Sequence, residues 1–203
     1  MRVTGFDGRD ARVTRITDQA VAVGAVLVAG GIGTRALMRD LGADIPVNRS
    51  PGLLAVTTPV PAGTLSRVLY PPGFHVRPDV SGGLRVGADD IDALTKEDTP
   101  PGPPPAWAQP LLDRTAAVLT LPAGVRIDHI RVGVRPVPAD GHTVAGRIPG
   151  SDNAYVVVTH SAITMGPLLG RLIAEEITTG ARDPLLRDFR PERFSAGRTP
   201  RPV

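Results

Sequence analysis

The sequence predicts a mixed α/β (α+β) fold, and three observations carry that expectation. Two continuous apolar runs, Val26–Ala29 and Ala154–Val158, each lead through a polar or glycine-rich turn into a helical pattern, as strands covered on both faces do. Between them, residues 46–86 alternate short β-prone runs with Pro-Gly and Gly-Gly turns, which reads as a mixed or antiparallel sheet. Hydrophobic residues are 41% of the 203 and charged residues 21%, enough apolar surface for one or two globular cores.

Residues 3–23 alternate apolar and polar positions around Gly8-Arg9-Asp10 and Thr17-Asp18-Gln19, predicting two or three short antiparallel strands. Thr34–Leu41 follows the first apolar run as a helix, with Leu37, Met38 and Leu41 on one face and Gly42 as its stop. Further strands are expected at Gly52–Thr57, Arg67–Tyr70, Phe74–Arg77 and Leu84–Val86. The proline run Thr99–Pro105 forms an extended connector, and Ala106–Leu119 has near-helical apolar spacing despite Pro110. A strand around Arg135, a turn at Asp140-Gly141, the strand Ala154–Val158 and the polar loop Thr159–Gly166 then lead to a helix beginning at Pro167. The tail, residues 195–203, reads as disordered.

Composition narrows the function classes. Aromatic residues are 3%, and the net charge of +3 is spread along the chain without a basic motif, so nucleic acid is not an expected partner. With Cys 0, no disulfide framework, thiolate nucleophile or Cys-ligated metal exists, and four scattered histidines do not make a metal site. The longest uncharged stretch, Ala20–Gly33, is shorter than the roughly 20 residues of a membrane span. Together with a charged amino terminus this gives a cytoplasmic expectation.

Three places carry candidate chemistry. Arg135, between Val134 and Pro136, makes either a structural ion pair or a bidentate clamp on a carboxylate. The loop from His160 to Gly166 joins a strand's carboxyl end to a helix amino end, where backbone N–H groups and a partial positive charge suit an anion or the electron-rich edge of a ring. A lone histidine there is a loop brace more often than a base, so His160 has no proton-transfer role. Gly31-Ile32-Gly33-Thr34-Arg35-Ala36 fits G-x-G-x-x-A, yet no acidic residue follows in the Asn48–Thr58 run to hold a ribose, so a plain tight turn competes with a dinucleotide fingerprint. Tyr70 is a candidate for orienting substrate, against the plainer reading of a surface filler.

The segment Gly133–Gly141, with Val144-Ala145-Gly146 and the run THSAITMGPLLGRLIAEEI from Thr159, resembles the C-terminal end of the FAD-dependent oxidoreductases of the D-amino-acid oxidase and glycine oxidase family. His75–Asp79 with Gly82–Gly87 resembles the hairpin of that family's substrate domain, and Val26–Gly31 the strand after which its chain turns beside the flavin. The resemblance implies a partial FAD-binding Rossmann-like domain in residues 1–45, a mixed or antiparallel-sheet substrate-binding domain in 46–130, and a return to the cofactor domain in 131–194. It implies FAD as cofactor, held by Gly30, Gly31, His160, Ser161, Ala162, Ile163, Thr164 and Met165 through backbone donors, and Arg135 as clamp for an amino-acid or other carboxylated amine substrate. No nucleophile is needed, because the flavin accepts hydride from the carbon beside the amine. The family's G-x-G-x-x-G segment is not matched ahead of Val3, so the chain is expected to be the C-terminal half to two-thirds of a family chain. That leaves three forms: a piece of a whole flavoenzyme, one subunit of a heteromer whose partner supplies the other half, or a non-catalytic remnant or interaction module that keeps the substrate domain and binds no FAD.

Overall fold

The computed structural model describes residues 3–7, 13–16 and 19–195, with side chains from residue 23 onward. In chain order the elements are β1 (Val3–Asp7), β2 (Val13–Ile16), β3 (Gln19–Ala22), β4 (Val26–Val28), α1 (Thr34–Asp40) and β5 (Val47–Thr57). Then come β6 (His75–Pro78), β7 (Leu84–Gly87), α2 (Asp89–Asp92), α3 (Pro110–Val118) and β8 (Ile127–Pro138). β9 (Val144–Arg147), β10 (Ala154–Val158), α4 (Ala162–Thr179) and two 3-10 segments, Pro184–Phe189 and Pro191–Phe194, complete it. The chain divides into two compact units, Met1–Arg49 with Arg135–Val203, and Ser50–Val134.

In the first unit β1, β2 and β3 form an antiparallel meander, with the register shifting between Val3 and Gly5. The turns expected at residues 8–10 and 17–19 lie mostly outside the described residues, as does the tail beyond Ser195. A second sheet has the order β4-β10-β9, with β4 parallel and β9 antiparallel to β10. Side chains of a strand alternate between faces, and β10 shows why its run is apolar throughout. Ala154, Val156 and Val158 pack with Val28, Met38, Ile45, Val144 and Ile148, while Tyr155 packs with Ala145, Leu169, Leu172, Ile173 and Leu186. β4 does not share that full cover: Val28 is buried but Leu27 is 43% exposed, and among the described residues β4 has a strand neighbour on one side only.

The second unit is built on a sheet of order β6-β7-β5-β8, with Val76 opposite Val86 and Ala55 opposite Val86 on the other side. Leu53, Ala55, Val76, Leu84 and Val86 form its core with Ile91 of α2 and Leu111 of α3. Pro110 takes the first position of α3, so the expected helix 106–119 is split into a 3-10 turn, Ala106–Ala108, and α3. The strand expected at Arg67–Tyr70 reduces to one bridge, Leu69 with Val76, since Pro71 and Pro72 cannot donate to a ladder. The proline run stays irregular apart from the bridge Gly102 with Ile130. Among the described residues no helix is long and apolar enough to cross a membrane.

Candidate functional site

β4 and β10 run parallel with Val26 opposite Ala154 and Val28 opposite Val156, so their carboxyl ends open on the same edge of the sheet. The turn Gly30–Gly33 leaves one of these ends and the loop Thr159–Ser161 leaves the other. β9 runs the opposite way with Val144 opposite Val158, which brings Thr143 to that edge as well. In open α/β sheets ligands bind outside the carboxyl ends of the strands.

The first turn is a 3-10 segment, Gly31–Gly33, in which the Gly33 N–H donates to the Gly30 carbonyl at 3.0 Å. Gly31 has φ 55°, a left-handed conformation that glycine adopts without cost. A Cβ on Gly31 would come to 4.0 Å from Pro136 Cγ, so β8 backs the turn one residue from Arg135. The Thr34 side chain, at the start of α1, is fully buried and its hydroxyl has no hydrogen-bond partner among the described residues. Arg135 itself is exposed. Its apolar neighbours Val134 and Pro136 are half-buried, as this stretch of β8 alternates exposed and half-buried positions.

The second turn differs from its sequence expectation. α4 starts at Ala162, and Pro167 lies inside it instead of opening it. The helix can absorb the proline there because the missing N–H would have faced only the carbonyl of Ile163, in the exposed first turn. Ala162, Ile163, Thr164 and Met165 are therefore helical residues. The Met165 N–H donates to the Ser161 carbonyl at 2.9 Å, and the N–H groups of Ala162, Ile163 and Thr164 have no acceptor within the helix. Ser161 precedes the helix without capping it, and Ala162, Ile163 and Thr164 are exposed, Ile163 by 96%. Among the described residues no side chain caps the positive end of this 18-residue helix. His160 is exposed, with Nδ1 2.8 Å from the Ser161 hydroxyl oxygen.

Tyr70 belongs to the other unit. It is 79% exposed and stacks on His75 with ring centroids 5.7 Å apart. The imidazole lies over Gly87, where a Cβ would come within 2.7 Å of His75 Cε1, so only glycine allows this packing. Arg135, Gly30, Gly31 and the residues His160–Met165 all fall in the first unit.

The pair Thr143 and Thr159 escaped sequence reasoning. Their hydroxyl oxygens are 2.9 Å apart, and Thr159 Oγ1 also accepts the Ser161 N–H at 3.2 Å. Sixteen residues separate the two threonines in the chain, and only the β9–β10 register puts them opposite one another.

A glycine turn and a helix N-terminus both follow the carboxyl ends of a parallel strand pair, the edge at which α/β proteins commonly hold anionic or nucleotide-type ligands. The chain belongs to the family of FAD dependent oxidoreductases, DAO, whose model matches residues 1–176. The fold is that of L-proline dehydrogenase from P. horikoshii, with TM-score 0.82 and 18% identity over 97% of this chain and 54% of that one. It is also shared with glycine oxidase from Geobacillus kaustophilus, with TM-score 0.73 and 23% identity over 93% of this chain and 51% of that one. L-amino acid deaminase from Proteus vulgaris gives TM-score 0.73 and 18% identity over 95% and 49%. The chain spans about half the length of each of these proteins. Comparison with curated proteins finds no match. The family is FAD-dependent. An electron-rich cofactor suits the three free N–H donors of α4 and the unmet Thr34 hydroxyl beside the glycine turn.

Proposed function

We propose that this chain forms the ring-facing and substrate-facing part of an FAD-dependent oxidoreductase acting on the C–N bond of an amino acid or related amine. The observation that carries this is the shared edge: the Gly30–Gly31 turn, the open end of α4 and the strand of Arg135 meet where a ligand of an α/β sheet belongs. FAD, when bound, would supply the two-electron acceptor for the oxidation. The backbone N–H groups of Ala162, Ile163 and Thr164 would donate to its electron-rich edge, and Gly30 and Gly31 would let the main chain approach closely. His160, Ser161 and Met165 frame that helix end. Arg135, exposed and carrying a planar guanidinium, would clamp a substrate carboxylate. On this reading Met1–Arg49 with Arg135–Val203 is the cofactor domain and Ser50–Val134 the substrate domain.

A second reading, of a subunit completed by another polypeptide, rests on β4. Its Val26 N–H donates to Asn153 O at 2.9 Å, toward β10, so parallel pairing turns the Leu27 N–H and C=O outward along an edge with no strand neighbour among the described residues. A parallel strand from a complementary chain would pair there. A non-catalytic interaction module would use the same edge.

Titration of the flavin-loaded chain with amino acids under exclusion of oxygen separates these readings. Bleaching by carboxylated amines, with Arg135→Ala raising the half-saturating concentration by about tenfold or more, is the expected result. Bleaching that ignores Arg135 would remove the clamp from the account. A chain that takes up no flavin, alone or with a complementary polypeptide, would favour the interaction module, and bleaching that appears only with such a polypeptide the heteromer.

A further inference from the structure

In an antiparallel pair, directly opposed residues project from the same face of the sheet with Cβ atoms about 4.5–5.5 Å apart, and like charges placed so repel. β6 and β7 set Arg77 opposite Arg85. The alternate positions Val76, Leu84 and Val86 turn to the other face, where they build the core with Ile91 of α2 and Leu111 of α3. The two arginines, with His75 opposite Gly87 beside them, therefore lie on the face away from those helices. Only one of the two charges is answered. Asp79, whose side chain is 5% exposed, pairs through Oδ2 with Arg85 Nη2 and through Oδ1 accepts the Ser81 N–H at 3.0 Å. Arg85 Nε is buried with no acceptor, and among the described residues no hydrogen bond or ion pair engages the half-buried Arg77 guanidinium. The hairpin cannot slide to part the two charges. Gly83 leaves no room for a Cβ against the Thr57 carbonyl, and the Leu84 N–H donates to Thr57 Oγ1 at 2.9 Å.

We propose that Arg77 and Arg85 form an anion subsite on the unit Ser50–Val134, which takes a carboxylate of the substrate and so selects amines that carry an acidic side group. A bound carboxylate supplies what the pair lacks, a negative charge between two opposed guanidiniums and an acceptor for nitrogens that Asp79 leaves unmet. Arginine suits both positions because its planar fork stays charged when half-buried and presents paired donors to a carboxylate. The substrate half of the proposal rests on the reading of this unit as the substrate domain. The anion subsite itself lies within one hairpin and is testable without flavin.

The test is arginine side-chain NMR on the full chain, following each Nε–H signal as acetate is added, with acetamide as the uncharged control and inorganic phosphate as a second anion. The Arg77 and Arg85 signals should move together and saturate with acetate, stay still with acetamide, and leave that of the exposed Arg126 unmoved. Arg77→Ala should raise the half-saturating acetate concentration read at Arg85 about tenfold, and Arg77→Lys should recover part of the loss. Arg77→Ala also relieves a repulsion, so its melting temperature without added anion should be no lower than the wild type's, which separates loss of a site from loss of the fold. Signals that drift alike at all arginines, or an Arg85 titration indifferent to Arg77→Ala, overturn the subsite. Tighter saturation by phosphate than by acetate overturns the carboxylate assignment. On the flavin-loaded chain, aspartate should bleach at a half-saturating concentration about tenfold below that of alanine of the same configuration, and Arg77→Ala should abolish the preference. Equal response to the two overturns the substrate half. A chain that bleaches with no amine refutes the proposed oxidation alone, since the acetate titration still decides the subsite.

Discussion

Glu176, near the end of α4, and Arg190, in the C-terminal 3-10 region, form an ion pair whose side chains are 3% and 7% exposed. The guanidinium passes over Gly146, where a Cβ would meet Arg190 Nη1 at 2.7 Å. The remaining polar atoms are not idle: Glu176 Oε1 accepts the Arg147 N–H at 3.4 Å, and Arg190 Nη2 donates to the Asp183 carbonyl at 3.3 Å. The pair fastens the end of the chain to the face of the sheet that α4 covers.

Arg190→Met leaves the Glu176 carboxylate buried without its partner, and should cost about 3–5 kcal/mol in urea denaturation. Arg190→Met combined with Glu176→Leu should recover most of that loss, because two apolar groups need no solvation. A double variant as unstable as the single one would show that packing, not the orphaned charge, sets the cost.

Asp140 and Arg193 form a second buried clasp, with Nε to Oδ2 at 2.5 Å and Nη2 to Oδ1 at 3.1 Å. Burial pushes the Asp140 carboxyl up, but the bonds and charge of Arg193 outweigh it and hold the carboxyl below its ordinary 3.8. Stability from this group is therefore complete above the ordinary carboxylate value and is lost as the pH falls through the lower, folded value. Unfolding followed from neutral pH into acid should show a smaller acid-induced loss for Asp140→Asn than for the wild type. Parallel profiles for the two proteins would remove Asp140 from the acid response.

Pro167, in α4 after Ile163, withholds one helical hydrogen bond. Pro167→Ala supplies an N–H for the Ile163 carbonyl and should stabilise the chain by about 1–3 kcal/mol. The urea midpoint reads this directly. An unchanged or lower midpoint would mean that the proline ring is itself packed against something the helix needs.

Much of this architecture is legible in the residues. The run Ala154–Val158 has no polar position because both faces of β10 are covered, and a helix after it is demanded by Leu169, Leu172 and Ile173. The glycine turn after β4 is equally plain, since Gly31 has φ 55°. What the sequence hides depends on partners distant in the chain. Pro167 is a familiar first helical residue, yet α4 begins at Ala162, after a turn in which Thr159 Oγ1 accepts the Ser161 N–H, a contact local sequence does not reveal. Leu27 reads as a core residue, and only the strand order reveals β4 as an edge. Arg135 has the same local sequence whether it is buried or exposed. The exposure comes from β8 and could not be foreseen from Val134 and Pro136.

The central claim is that the open end of α4 and the Gly30–Gly31 turn hold FAD. Incubating the purified full chain with FAD, removing unbound cofactor and recording the visible spectrum tests it most directly. A retained flavin band, diminished in Gly31→Val, is the result this account predicts. A colourless wild-type chain, or a band indifferent to Gly31→Val, would contradict it.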